Sequence, residues 1–136
     1  MTLRARRIVT GHDESGRPIV ASDEVLEKPV SARLGHARLD FWKGADGTIF
    51  RFVEYRAGVA PRNHRTDSID YAVVLSGEID MELDDTTVHL KAGDCMVQRG
   101  TIHNWVNNGT APCVLAVILI DAKSVEAGGK VLPAVG

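Results

Sequence analysis

Two histidines, His64 and His103, stand beside glycine turns, and each begins a run of alternating residues whose types could do chemistry. In an extended chain residues two apart share a face, so His64, Thr66, Ser68 and Asp70 point one way. The same rule aligns His103, Trp105 and Asn107. If both faces look into one interior, two imidazoles and one carboxylate converge. His64, His103 and Asp70 then form the two-histidine, one-carboxylate set that holds a divalent transition metal and leaves positions open for substrate. The alternative is a metal-free pocket in which His64, Thr66, Asp70 and His103 are joined by hydrogen bonds.

Such a site needs strands to carry it, and the sequence supplies them. Glu78-Ile79-Asp80-Met81-Glu82-Leu83 alternates strictly, which predicts a half-buried strand with Ile79, Met81 and Leu83 facing a core. Further strands are expected at Arg7 to Val9, Pro18 to Ala21, Ala37 to Trp42, Ile49 to Arg56, Asp70 to Leu75, Thr86 to Leu90, Cys95 to Gln98, His103 to Asn107 and Cys113 to Asp121. Turns rich in Gly, Asp and Asn separate them. Only Ser22 to Lys28 and Ala122 to Ala127 are expected to be helical, and both are short. About ten short strands with little helix predict an all-β antiparallel sandwich or closed barrel. In Cys113 to Asp121 both alternating faces are apolar, so the outward one needs a cover. A second subunit, making a homodimer, or the chain's own N-terminal segment would serve equally. The expected organisation is N-terminal strands and an arm over 1–35, which would also suit packing on a partner subunit, a barrel over 36–121, and a loose or draped tail over 122–136.

The run Gly58, five residues, His64-Arg65-Thr66, three residues, Asp70, six residues, Gly77 resembles the first signature of the cupin superfamily. That signature reads Gly-x5-His-x-His-x3-4-Glu-x6-Gly. The second, Gly-x5-Pro-x-Gly-x2-His-x3-Asn, is echoed between Gly93 and Asn107 by Gly100, His103 and Asn107. Two signatures in order, with a hairpin between them, make a specific match over residues 58 to 107. The resemblance implies a jelly-roll barrel, a double-stranded β-helix, and a divalent transition metal such as Fe, Mn, Zn or Ni. It supports His64 and His103 as ligands, with Asp70 as third ligand or catalytic base. Thr66 stands where a second histidine is usual and Asp70 where Glu is usual, so one imidazole is missing. Arg62, Thr66, Ser68, Met96, Gln98 and Trp105 are the expected substrate contacts, and a rim of up to four arginines, Arg62, Arg65, Arg99 and Arg51, would suit an anionic small molecule, with Arg99 otherwise fixing its turn. Arg65 is expected to point away from the pocket and pair with Asp67 or Asp94.

Composition narrows the rest. The 136 residues are 44% hydrophobic and 25% charged, which suits one globular domain, and the formal charge of -2 is too balanced for a protein that coats nucleic acid or an anionic membrane. Neither partner is expected. The start of the chain lacks the apolar run of an export signal and the longest apolar stretch is far short of a membrane span. With two cysteines expected as free thiols, the reading is cytoplasmic. The glycine spacing of Gly11 to Gly16 lacks the Lys-Ser/Thr pair of a phosphate loop. Two functions fit: an enzyme that decarboxylates, dehydrates, isomerises or oxygenates a small oxygenated acid or phenolic compound, and a non-catalytic barrel that binds or senses a small molecule.

Overall fold

In the computed structural model, which describes residues 3–136, the chain forms thirteen strands and, among the described residues, no helix. They are β1 (Ala5–His12), β2 (Pro18–Leu26), β3 (Val30–Arg33), β4 (His36–Lys43), β5 (Thr48–Tyr55), β6 (Ser68–Ser76), β7 (Glu78–Glu82), β8 (Thr87–Lys91), β9 (Cys95–Arg99), β10 (Asn104–Val106), β11 (Cys113–Asp121), β12 (Val125–Ala127) and β13 (Lys130–Leu132). Residues 1 and 2 of the expected N-terminal arm lie outside the described residues. A six-stranded sheet in the order β3-β4-β5-β11-β6-β9 faces a three-stranded sheet β10-β7-β8. All pairings are antiparallel. β1-β2 and β12-β13 are separate hairpins. The fold is the jelly-roll barrel.

The core between the sheets follows from alternation. On β7, Ile79 and Met81 are buried while Glu78 and Glu82 are exposed, and Leu83 packs against the same cluster. They meet Val53, Tyr55, Val74, Leu90, Trp105 and Leu115. Ile79, Leu115 and Cys113 are almost entirely out of water, which for each aliphatic side chain is worth about 1.5–3 kcal/mol. The turn from β6 to β7 needs Gly77, whose φ is 76°. A Cβ there would come within 2.9 Å of the Cys113 Cα as well as the Pro112 carbonyl, so only glycine allows the turn to sit on β11.

Two helical expectations are corrected. Ser22 to Leu26 continues β2, where Ala5↔Leu26 through Val9↔Ser22 are paired; the partner strand overrides the helix-favouring Glu and Leu of this stretch. Ala122 to Ser124 is a connection and Val125–Ala127 is a strand. The tail beyond it is anchored. The Arg65 and Val135 backbones exchange two hydrogen bonds, each 2.9 Å, and the Gly136 carbonyl accepts from Arg62 Nε at 3.1 Å.

The two faces of β11 are covered differently. Leu115 and Val117 turn inward. Val114, on the outward face, packs with Leu39, Phe41 and Leu3, flanked by Ala5 and Leu26. The chain's own N-terminal segment thus covers one end of that face. Further along, Ile118 stays partly exposed, as do its cross-strand neighbours Tyr71 and Phe50.

Candidate functional site

His64 and His103 are brought together by the backbone. Each amide donates to the other's carbonyl, at 3.0 and 2.9 Å, in an isolated antiparallel bridge. Directly opposed residues of such a pair project to one side, and the two imidazole centroids lie 4.3 Å apart. Each ring is fixed in one tautomer. His64 Nδ1 donates to the Arg62 carbonyl at 3.0 Å and His103 Nδ1 to the Thr101 carbonyl at 2.9 Å. Both Nε2 atoms are therefore lone-pair donors. Burial lowers the pKa of His64 to about 4, the neighbouring His103 and the Arg62 and Arg33 guanidiniums adding to it. Burial lowers that of His103 too, with Asp70 pulling the other way. Two neutral imidazoles with Nδ1–H held by carbonyls and Nε2 free form the donor set that divalent transition metals take.

Asp70 sits at the end of a hydroxyl chain. Thr66 Oγ1 and Ser68 Oγ are 2.8 Å apart, and Ser68 donates to Asp70 Oδ1 at 2.6 Å. Ser68, a substrate contact on the sequence pattern, is buried and does not line the cavity. Burial raises the Asp70 pKa, against the opposing pull of Ser68, His103 and Arg51. Among the described residues no three His, Cys, Asp or Glu side chains cluster closely enough to hold a metal together. The two imidazoles thus stand together without Asp70 as the third ligand expected from the sequence.

These side chains line one cavity of about 320 Å3. Arg62, His64, Thr66, Asp70, Met96, Gln98, His103 and Trp105, all foreseen in the sequence, border it. Gln98 Nε2 donates to the Thr101 hydroxyl, leaving Gln98 Oε1 buried without a partner. Arg65 faces away as expected, although its guanidinium donates to the Pro133 carbonyl at 3.3 Å, not to an acid. Asn104 fixes the approach to His64: its Oδ1 accepts from the Arg62 amide at 2.8 Å and its Nδ2 donates to Glu82 at 2.9 Å.

Four more residues border the same cavity without having been foreseen as site residues: Arg33, His36, Arg38 and Tyr55. For His36 and Arg38 the period-2 run His36-Ala37-Arg38-Leu39-Asp40-Phe41 carries a signal of a shared polar face, since it places polar residues on one face and apolar ones on the other; Arg33 and Tyr55 lie outside it. His36 meets Tyr55 edge-on with centroids 5.5 Å apart. Its pKa falls to about 4, from burial first and then from Arg33, Arg38, Arg62 and Arg51. Burial pushes the Tyr55 hydroxyl up to about 12.

The family model of the cupin domain matches residues 51–119, the span that carries β5 through β11 and both histidines. The chain belongs to the cupin family. A relative from Diaporthe leptostromiformis, named phomopsin biosynthesis cluster protein C', is 47% identical over 63% of this chain and 47% of its own length. This cupin thus spans about half the length of that relative. A cupin-domain-containing oxidoreductase of Aspergillus ruber, fogC, is 30% identical over 93% of this chain and 77% of its own. Among solved structures, the cupin domain of Schizosaccharomyces pombe Cnp3 is similar with a TM-score of 0.63 and 16% identity, over 85% of this chain and 87% of that one. At that identity the likeness speaks for the fold alone.

Proposed function

We propose that this cupin is an enzyme that transforms a small oxygenated acid or phenolic compound in the cavity, using a divalent transition metal held by His64 and His103. The observation that carries the reading is the imidazole pair, with both Nδ1 atoms engaged by carbonyls and both Nε2 atoms free. Fe, Mn, Zn or Ni bound there would act as a Lewis acid on a carbonyl or enolate oxygen, or, as iron, open oxygen chemistry. Relatives named cupin-domain-containing oxidoreductases favour the oxidative branch over decarboxylation, dehydration or isomerisation.

The chain's own groups supply the rest. Asp70, its pKa raised by burial, is the carboxyl group of the cavity that could take or return a proton, and Ser68 donates a hydrogen bond to it. Gln98 Oε1 offers an acceptor to a substrate donor, and Trp105 and Met96 give the substrate an apolar wall. The working unit in this reading is a homodimer, because an apolar row on the outer sheet face is the kind of surface a second copy covers.

Elemental analysis of protein purified without a histidine tag tests the metal. Near-stoichiometric transition metal is expected, and its loss in His64→Ala and in His103→Ala. Wild-type protein that stays metal-free after reconstitution would leave the non-catalytic binding barrel as the better reading.

A further inference from the structure

We propose that the cavity contains a carboxylate seat on β4 and β5, formed by Arg38 and Arg51 with His36 beside them, separate from the imidazole pair. The proposal rests on the reading of the cavity as the protein's working site and names the class of ligand it takes.

The cationic lining is in excess. Arg33, Arg38, Arg51 and Arg62 border the cavity, and Asp70 is the one carboxylate among the described residues that does so. Arg33 and Arg62 spend their Nε–H groups on the carbonyls of Ala60 and Gly136. Arg38 and Arg51 do not. Both are ion-paired with Asp40, which lies 3.5 Å from Arg38 Nε and 2.8 Å from Arg51 Nε, but both Nε atoms are buried without a hydrogen bond. His36 Nδ1 is buried and unpartnered on the same strand. Buried polar groups are normally hydrogen-bonded, so three nitrogens without a hydrogen bond on one wall, two of them sharing a single carboxylate, suit a place for a further anionic ligand.

Geometry and charge select the ligand. Arg38 pairs with Val53 and Asp40 with Arg51, which makes Arg38 and Arg51 diagonal neighbours on the inward face, about 7–8 Å apart at the backbone. Two planar guanidiniums at that spacing can grip a flat carboxylate, one on each oxygen. Two arginines against Asp40 leave one net positive charge, which suits a monoanion better than a phosphate. Val53, Leu115 and Val117 continue the wall, so the body of the ligand is apolar and small. The seat takes a monocarboxylate with an aryl or alkyl body.

Calorimetric titration with benzoate tests this without knowledge of the natural substrate. Benzoate is expected to bind, and neutral benzamide at least tenfold more weakly. Arg38→Gln and Arg51→Gln should each weaken benzoate tenfold or more while Ni2+ uptake stays as in the wild type. Arg38→Lys and Arg51→Lys keep the charge but lose the fork, and serve if the Gln variants fold poorly; each should still weaken benzoate severalfold. Unchanged benzoate affinity in the arginine variants overturns the seat, as does tighter binding of inorganic phosphate than of benzoate. So does benzoate binding abolished by His64→Ala alone. Wild type that takes up Ni2+ but not benzoate removes the seat and keeps the metal reading. Wild type that binds benzoate but not Ni2+ keeps the seat and removes the metal.

Discussion

The inner and outer faces of the six-stranded sheet reverse the usual order of a half-buried sheet. Inward, β4, β5, β6 and β9 present Arg38, Arg51, Asp70 and Gln98 among aliphatic residues. Outward, paired register lines up Val97, Tyr71, Ile118 and Phe50 across β9, β6, β11 and β5, at 60%, 47%, 37% and 39% exposed. Charges turned in and large apolar groups turned out both run against the burial preferences of free-standing domains. The inner reversal is what the proposed carboxylate ligand would satisfy. The outer one is consistent with a second copy. On these proposals the same strands would serve a small molecule on one side and a second copy of the chain on the other.

Truncation separates the faces most strongly. Leu115, fully buried on the inner side of β11, is expected to lose about 2–5 kcal/mol as Leu115→Ala. Ile118→Ala, three residues on and facing out, should cost about 1 kcal/mol or less in denaturant unfolding under conditions where the protein is monomeric. Equal losses would erase the distinction between the faces.

Next in size is the effect on assembly. Light scattering at micromolar concentration should give twice the mass of one chain. Tyr71→Lys should halve that mass and leave benzoate binding in the cavity intact. A wild-type monomer would show that the outer row needs no cover.

The smallest expected effect is on pH dependence. His36 titrates in the unfolded chain near 6.5 and in the folded one at about 4, so between these values the unfolded state binds more protons. Stability contributed by its neutral ring is present above pH 6.5 and is lost as pH falls towards 4. His64 and His103 act in the same direction, and Asp70, with its raised pKa, acts in the opposite one. Facing His36 are Arg33, Arg38, Arg51, Arg62 and Tyr55. His36→Gln should flatten the fall of melting temperature across that window without removing it. An unchanged slope would show that the inward charges do not govern the ring.

How far the chain could be read without its structure differs between the two signatures and the region before them. Parity along 64–70 and 103–107 places His64, Asp70, His103 and Trp105 on one cavity because these residues lie on regular strands or an antiparallel bridge. Ser68 obeys the same parity but does not line the cavity, and its hydroxyl is taken up by Thr66 and Asp70, which alternation does not reveal. His36 and Arg38 join the site only through the pairing of β4 with β5, His36↔Tyr55 and Arg38↔Val53. Register between distant strands is a tertiary property. The short stretch Ser22 to Lys28 misleads for the same reason, since its conformation is fixed by β1 and not by its own side chains.

The bridge between His64 and His103 has a consequence in time as well as in space. Two backbone hydrogen bonds hold the rung on which both rings stand, so any opening that frees these amides also parts the imidazoles. The rate at which the His64 and His103 amide hydrogens exchange with heavy water therefore measures how often the pair comes apart, and anything bound across both rings should slow the two amides together.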